Sequence, residues 1–255
     1  MELKYSWTCN ATTRNLSANG LPDHEIGTFP NPDCPNTVAA QSVTRQFTLT
    51  PEITSSTGTT TTIVGYALNG VKFDPNTAGT CNNAGTSCSL AGGTGTWKIE
   101  ALGQSSFDFG DDGNHAHVQP GGAYHYHGMP DLWLAELGGG VAMRLIGWSV
   151  DGFPVYARYG YTDATDSGSP LKVLTGSWQV QASPDANRPS TATYPMGTFQ
   201  QDYEYVPGSG DMDECNGRFG VTPEFPDGIY YYAITDTYPY IQRCIKGTAM
   251  GGGPP

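Results

Sequence analysis

The 255-residue chain predicts an all-β fold: one β-sandwich or barrel-like domain with long loops, little helix and disulfide support. Three observations carry this expectation. Apolar and polar residues alternate with a period of two over 41–50 and again over 61–73, which is the spacing of side chains on one face of a strand. Gly and Pro number 34 and 19. That is enough for frequent turns and still short of the share that marks a disordered chain. Six cysteines are spread along the chain with no Cys-x-x-Cys pair, a pattern of disulfides rather than a zinc knuckle.

The elements follow in order. Asn10 and Asn15 open two Asn-x-Ser/Thr sequons, and a Pro- and Gly-punctuated extended segment around His24 comes next. In 61–73, Val64, Tyr66, Leu68 and Val71 alternate about Asn69-Gly70, a strong hairpin turn. Residues 75–95 read as a loop pinned by Cys81 and Cys88. Trp97 to Leu102 resumes a strand, and the acidic stretch 104–114 carries Asp108, Asp111 and Asp112. Residues 130–137 predict a short helix with Asp131 as N-cap and Gly138 as its stop. Residues 141–150 and 153–159 predict two strands joined at Asp151-Gly152, and 162–200 a long surface excursion. The β-branched and aromatic run 228–236 predicts a late strand. We expect one domain over 1–248 and a Gly/Pro linker tail over 249–255.

Twenty-four acidic residues against twelve basic ones give a net charge of −12, which argues against a nucleic-acid partner. No apolar run is long enough for a transmembrane segment. Met1 to Lys4 leads straight into polar sequence, so we expect that an export leader has been removed. The simplest disulfide pairing is sequential: Cys9 with Cys34, Cys81 with Cys88, and Cys215 with Cys244. An oxidising compartment is expected, so that the protein is secreted, periplasmic or held at the cell surface.

The concentrated chemistry is one stretch. Four of the five histidines, His115, His117, His125 and His127, fall within thirteen positions as two His-x-His pairs around Pro120-Gly121-Gly122. An antiparallel hairpin folding about Gly121 sets His117 opposite His125 and His115 opposite His127. All four rings then share one face, and Tyr124 and Tyr126 point to the other. Clustered neutral imidazoles suit copper or zinc. If one ring turns away, a three-histidine site with an open position remains. Asp111 and Asp112 are candidates to orient the rings. The oxygen-rich 211–217 stretch misses the spacing of a calcium loop and reads as a solvated turn.

At these residues the chain resembles the YHYH-domain family, through Tyr124-His125-Tyr126-His127. The likeness extends to Pro22-Asp23-His24 with Phe29-Pro30-Asn31, to Gly65–Gly70 and to Ala116–Pro120. It takes in Gly147-Trp148 with Asp151–Tyr156, then Asp213–Phe219, and Tyr238–Ile241. The resemblance implies a secreted or cell-surface protein and adds His24 and Asp151 as candidate catalytic residues; it implies no particular reaction. The function expected is therefore a secreted copper- or zinc-binding protein, leaning to a metal-dependent oxidoreductase acting on a small molecule or an extracellular polymer. Its alternatives are a non-enzymatic metal-binding or surface-attachment module and a zinc hydrolase or hydratase.

Overall fold

The computed structural model describes residues 2–250. Residues 251–255 of the expected tail lie outside the described residues. The chain is nearly all β. An N-terminal antiparallel meander is built from β1 (Tyr5–Cys9), β2 (Thr13–Ala18) and β3 (Val43–Thr48). After β4 (Thr59–Thr60), the Asn69-Gly70 turn joins β5 (Gly65–Ala67) to β6 (Lys72–Phe73) as its residues require. A small sheet of β7 (Thr80–Cys81), β8 (Cys88–Ser89) and β9 (Trp97–Lys98) follows. The histidine hairpin is β10 (Ala116–Val118) and β11 (Tyr124–Tyr126). A single helix, α1 (Asp131–Glu136), precedes the long pair β12 (Met143–Ser149) and β13 (Pro154–Tyr161). The rest comprises β14 (Leu171–Val173), β15 (Trp178–Val180), β16 (Tyr203–Tyr205), β17 (Gly217–Gly220), β18 (Ile229–Ile234) and β19 (Cys244–Ile245).

Nine strands make the central sheet, in the order β10-β11-β6-β5-β12-β13-β18-β17 with β14 beside β13. Two of its pairings, β11 with β6 and β13 with β18, are parallel. The path runs from one edge to the other without closing, so the barrel-like alternative does not hold.

The pleat divides this sheet into two faces. One carries Ala67, Phe73, Ala116, Val118, Tyr124, Tyr126, Val155, Tyr230 and Tyr232 into the main core, where Trp133 of α1 covers it. The other face carries Tyr66 and Trp148, cross-strand partners, which pack against Leu16 and Phe47 of the meander. Continuing along that same face, Tyr66 pairs with Lys72 and Lys72 with His125. The polar end of one sheet face is therefore where the histidines lie. A β-bulge between Leu145 and Gly147 needs glycine at 147. A Cβ there would meet the Tyr66 carbonyl oxygen at 2.5 Å and the Phe73 ring at 2.6 Å.

Two sequence expectations are corrected here. Cys81–Cys88 and Cys215–Cys244 are disulfides, but Cys9 and Cys34 are free thiols. Cys9 is exposed on the outermost strand of the meander. Cys34 is buried beneath the hairpin, its Sγ donating to the Val118 carbonyl at 3.2 Å. The helix exists, but its N-cap is Pro130 and no side chain caps it. Asp131 instead spends its carboxylate on an ion pair with Arg158.

Candidate metal centre

The hairpin forms in the register that the spacing requires, with His117 opposite His125 and Ala116 and Val118 opposite Tyr126 and Tyr124. Gly121 and Gly122 turn the chain at φ of +92° and +87°, a region that favours glycine. At Gly122 a Cβ would also lie 2.5 Å from that of Ala39.

Three of the four clustered histidines converge. Ligand nitrogens of His117, His125 and His127 lie within 4.8 Å of one another. The ring centroids form a nearly equilateral triangle of 4.7, 4.7 and 4.6 Å, with planes steeply inclined to one another. His125 and His127 are buried and His117 is partly so.

His115 does not join them. Residues 112–115 form a turn closed by the His115 N–H on the Asp112 carbonyl at 2.9 Å. His115 ends that turn at φ +50°, a left-handed conformation in which His is enriched. Its carbonyl still accepts from His127 N–H at 2.8 Å, as hairpin pairing demands, but the side chain is redirected. Its Nδ1 meets the Met129 carbonyl at 2.8 Å and lies 3.6 Å from the Asp131 carboxylate. The four-histidine set expected from spacing is thus a set of three.

The hydrogen bonds around the triangle determine which nitrogens face inward. His117 Nδ1 lies 3.0 Å from the Phe109 carbonyl and His125 Nδ1 3.3 Å from that of Ala123. A carbonyl oxygen can only accept, so each Nδ1 carries the proton and each Nε2 presents a bare lone pair. His127 Nε2 is 3.2 Å from His117 Nε2. Its own Nδ1 is buried without a partner in hydrogen-bonding geometry, although the Pro75 backbone faces that ring.

One metal-free arrangement accounts for this: His127 Nε2–H donates to His117, leaving a bare Nδ1 against a backbone acceptor. A cation between the rings fits better. It lets His127 take the Nδ1–H tautomer and removes the repulsion between two lone pairs. A tetrahedral ion with bonds of 2.0–2.1 Å sets its nitrogen ligands about 3.3 Å apart, close to the 3.2 Å between His117 Nε2 and His127 Nε2, while the full set of three lies within 4.8 Å.

Electrostatics favour the ligating form. Burial holds all three imidazoles below their ordinary pKa, and it holds those of His125 and His127 well below. For His125 and His127 the neighbouring rings add to this, since a second positive charge would be repelled. Neutral rings bind a metal without first losing a proton.

The other candidates lie elsewhere. His24 sits on the tyrosine face: its Nε2 is 2.5 Å from Tyr126 Oη, and its ring is flanked by Tyr124 and Trp133. Asp151 is buried at the β12–β13 turn, where it accepts from Tyr232 Oη at 2.7 Å and from Gly247 N–H at 2.9 Å. Neither shares a hydrogen-bond partner with the triad. Asp112 also serves the opposite face, accepting from Tyr124 Oη at 2.8 Å and Gly27 N–H at 2.9 Å. Asp111, whose carboxyl burial pushes up, interacts with His115 rather than with the three rings.

Sequence reasoning missed the polar residues that do adjoin the triad. Lys72, in register with His125, donates to Asp74 at 3.0 Å and to Gln119 at 2.7 Å. The signal was present as Lys72-x-Asp74 and His117-x-Gln119, two further pairs at strand spacing.

A β-rich scaffold with three convergent imidazoles on one hairpin defines a protein with a histidine triad able to hold a metal ion. The model of the family described as YHYH protein matches residues 44–247, and the chain belongs to that family. The matched span holds the clustered histidines and Asp151 and starts after His24. No curated protein and no solved structure matches the chain.

Proposed function

We propose that the protein binds one transition-metal ion through the Nε2 atoms of His117, His125 and His127. The observation that carries this reading is the inward-facing set of three neutral imidazoles, two of them held in the ligating tautomer by backbone carbonyls. Copper or zinc is the ion best suited. Imidazole-only ligation without thiolate accommodates both, and Cu(II) is the stronger binder among such divalent ions. Two disulfides fit an oxidising location, and among the described residues no helix is long and apolar enough to cross a membrane. From the disulfides we infer a secreted, periplasmic or cell-surface protein.

The reaction, if the centre is catalytic, is of the redox class first and of the hydrolytic class second. Three protein ligands leave a coordination position free for a substrate, and such an ion supplies electron transfer or polarisation of a bound oxygen. The chain's own contribution is to orient the rings, exclude protons from them and keep bulk water away from His125 and His127. A specific observation favours the non-enzymatic reading as runner-up: the cavity of about 370 Å³ beside the triad is walled by Lys72, Asp74 and Gln119 and not by the imidazole rings themselves.

The test is metal content by mass spectrometry, with electron paramagnetic resonance, on protein purified without a nickel column. Stoichiometric metal should be lost in His125→Ala and in His127→Ala and kept in His115→Ala. One equivalent retained by the His125→Ala/His127→Ala double variant would refute the assignment.

A further inference from the structure

Beside the triad, on the same sheet face, is a cavity of about 370 Å³ walled by Arg45, Phe47, Ile63, Lys72, Asp74 and Gln119, among others. Its volume falls in the range of small-molecule sites. Lys72 and Gln119 stand two positions or one strand away from His117 and His125, so the cavity shares its polar wall with the histidine cluster.

The charges in it are unusual for this molecule. The chain carries twice as many acidic as basic residues, yet two cations meet here against a single carboxylate. Asp74 neutralises Lys72 in a largely buried ion pair, and Arg45 is left over. Among the described residues Arg45 forms no salt bridge. It donates to the Thr44 carbonyl at 2.8 Å and lies over the buried Tyr66 ring, 5.5 Å from its centroid. These two contacts orient the guanidinium, and no carboxylate among the described residues pairs with it.

We propose that this cavity binds a small monocarboxylate with an apolar body, Arg45 holding the carboxylate and Phe47 and Ile63 the body, and that it is the ligand chamber of the metal centre. A guanidinium fork matches a carboxylate with two parallel hydrogen bonds. One surplus cation calls for one negative charge, and a dianion would be under-compensated beside Asp74. The carboxylate site stands without the metal; only its role as the chamber of the centre rests on the function proposed above.

The probe is benzoate, with benzamide as its uncharged counterpart, titrated calorimetrically into metal-free protein at low salt. Benzoate should bind at one site at millimolar or lower concentration. Benzamide, and benzoate with Arg45→Gln, should each bind at least about tenfold more weakly, the size of one charge-assisted contact. The far-ultraviolet circular dichroism of Arg45→Gln should match that of the parent, so that misfolding is ruled out as the cause. In the copper-loaded protein the ring protons of bound benzoate should relax faster than in the metal-free form.

Equal binding of benzoate and benzamide, no loss in a folded Arg45→Gln, or no binding at all would overturn the carboxylate site. Normal relaxation of bound benzoate next to stoichiometric copper would overturn its role as the chamber. Failure of the protein to take up copper would sink the metal centre while leaving Arg45-dependent benzoate binding intact, so the two claims fail separately.

Discussion

The two buried imidazoles make metal-free protein sensitive to acid, and the size of the effect follows from burial. His125 and His127 are held well below their ordinary pKa in the folded chain, whereas in the unfolded chain each titrates near about 6.5. A depressed pKa means that the unfolded state takes up protons first. Stability is therefore fully present above about pH 6.5 and is lost as the pH falls below it. In the limit that neither ring protonates while folded, each costs about 1.4 kcal/mol per pH unit once well below 6.5. Between pH 7 and 5 the pair then removes about 4 kcal/mol, a large part of the stability of an ordinary domain. Carboxyls raised by burial, Glu100, Asp111 and Asp213, act with the opposite sign and would mask part of it. The assay is accordingly a difference: urea unfolding of metal-free protein and of His125→Asn/His127→Asn at pH 7, 6 and 5. The parent should lose about 4 kcal/mol more than the variant over that interval. A difference below about 1 kcal/mol would show that the rings are not buried as neutral groups, and the case for proton-free ligands would go with it.

Three other outcomes are expected. Thiol labelling should find two reactive cysteines per chain, Cys9 at once and Cys34 only on unfolding, and Cys215→Ser/Cys244→Ser should destabilise more than Cys81→Ser/Cys88→Ser. Chain entropy gives about 3.6 kcal/mol for the longer loop and about 2.5 for the shorter, and equal losses by chemical denaturation would contradict that ordering. Arg188→Ala should cost about 3–5 kcal/mol, since it strands the buried Asp202 carboxylate that Arg188 meets through Nε and Nη2 at 2.7 Å each. A fall in melting temperature of under two degrees would show that solvent reaches the pair.

The hairpin register was legible because strand periodicity is strict: once Gly121 is the turn, His117 must face His125, and the tyrosines must face away. His115 was not legible, because strand β10 is only three residues long and the spacing argument ran one residue past it into a turn. The Asp112-Gly113-Asn114 sequence ahead of it is the local sign that the strand starts late. The Cys9–Cys34 pairing failed for a different reason. Sequence order among six cysteines carries no information about which strands bury which thiol, whereas Cys81–Cys88 was readable because a turn-rich span of six residues joins its ends. Parallel pairing of β11 with β6 links residues about fifty positions apart, and nothing local encodes it. That contact is what brings Lys72 and Asp74 to the histidines. His24 and Asp151 were raised to the candidate set by resemblance; His24 is half-buried against aromatic rings, and Asp151 is buried against the Tyr232 hydroxyl and the Gly247 N–H.

The alternation of Tyr and His along β11 has a consequence for mispairing. A slip of one residue against β6 would exchange the two faces, driving both imidazoles into the apolar core and turning Tyr124 and Tyr126 outward. The tyrosines would then lose Asp112, and Asn69 and His24, as partners for their hydroxyls. Every side chain of the strand is penalised at once, so no near-degenerate competitor lies one step away. β11 and the residue after it carry two of the three candidate ligands, and the energy gap that protects their alignment is written in the same alternation of tyrosine and histidine that places them.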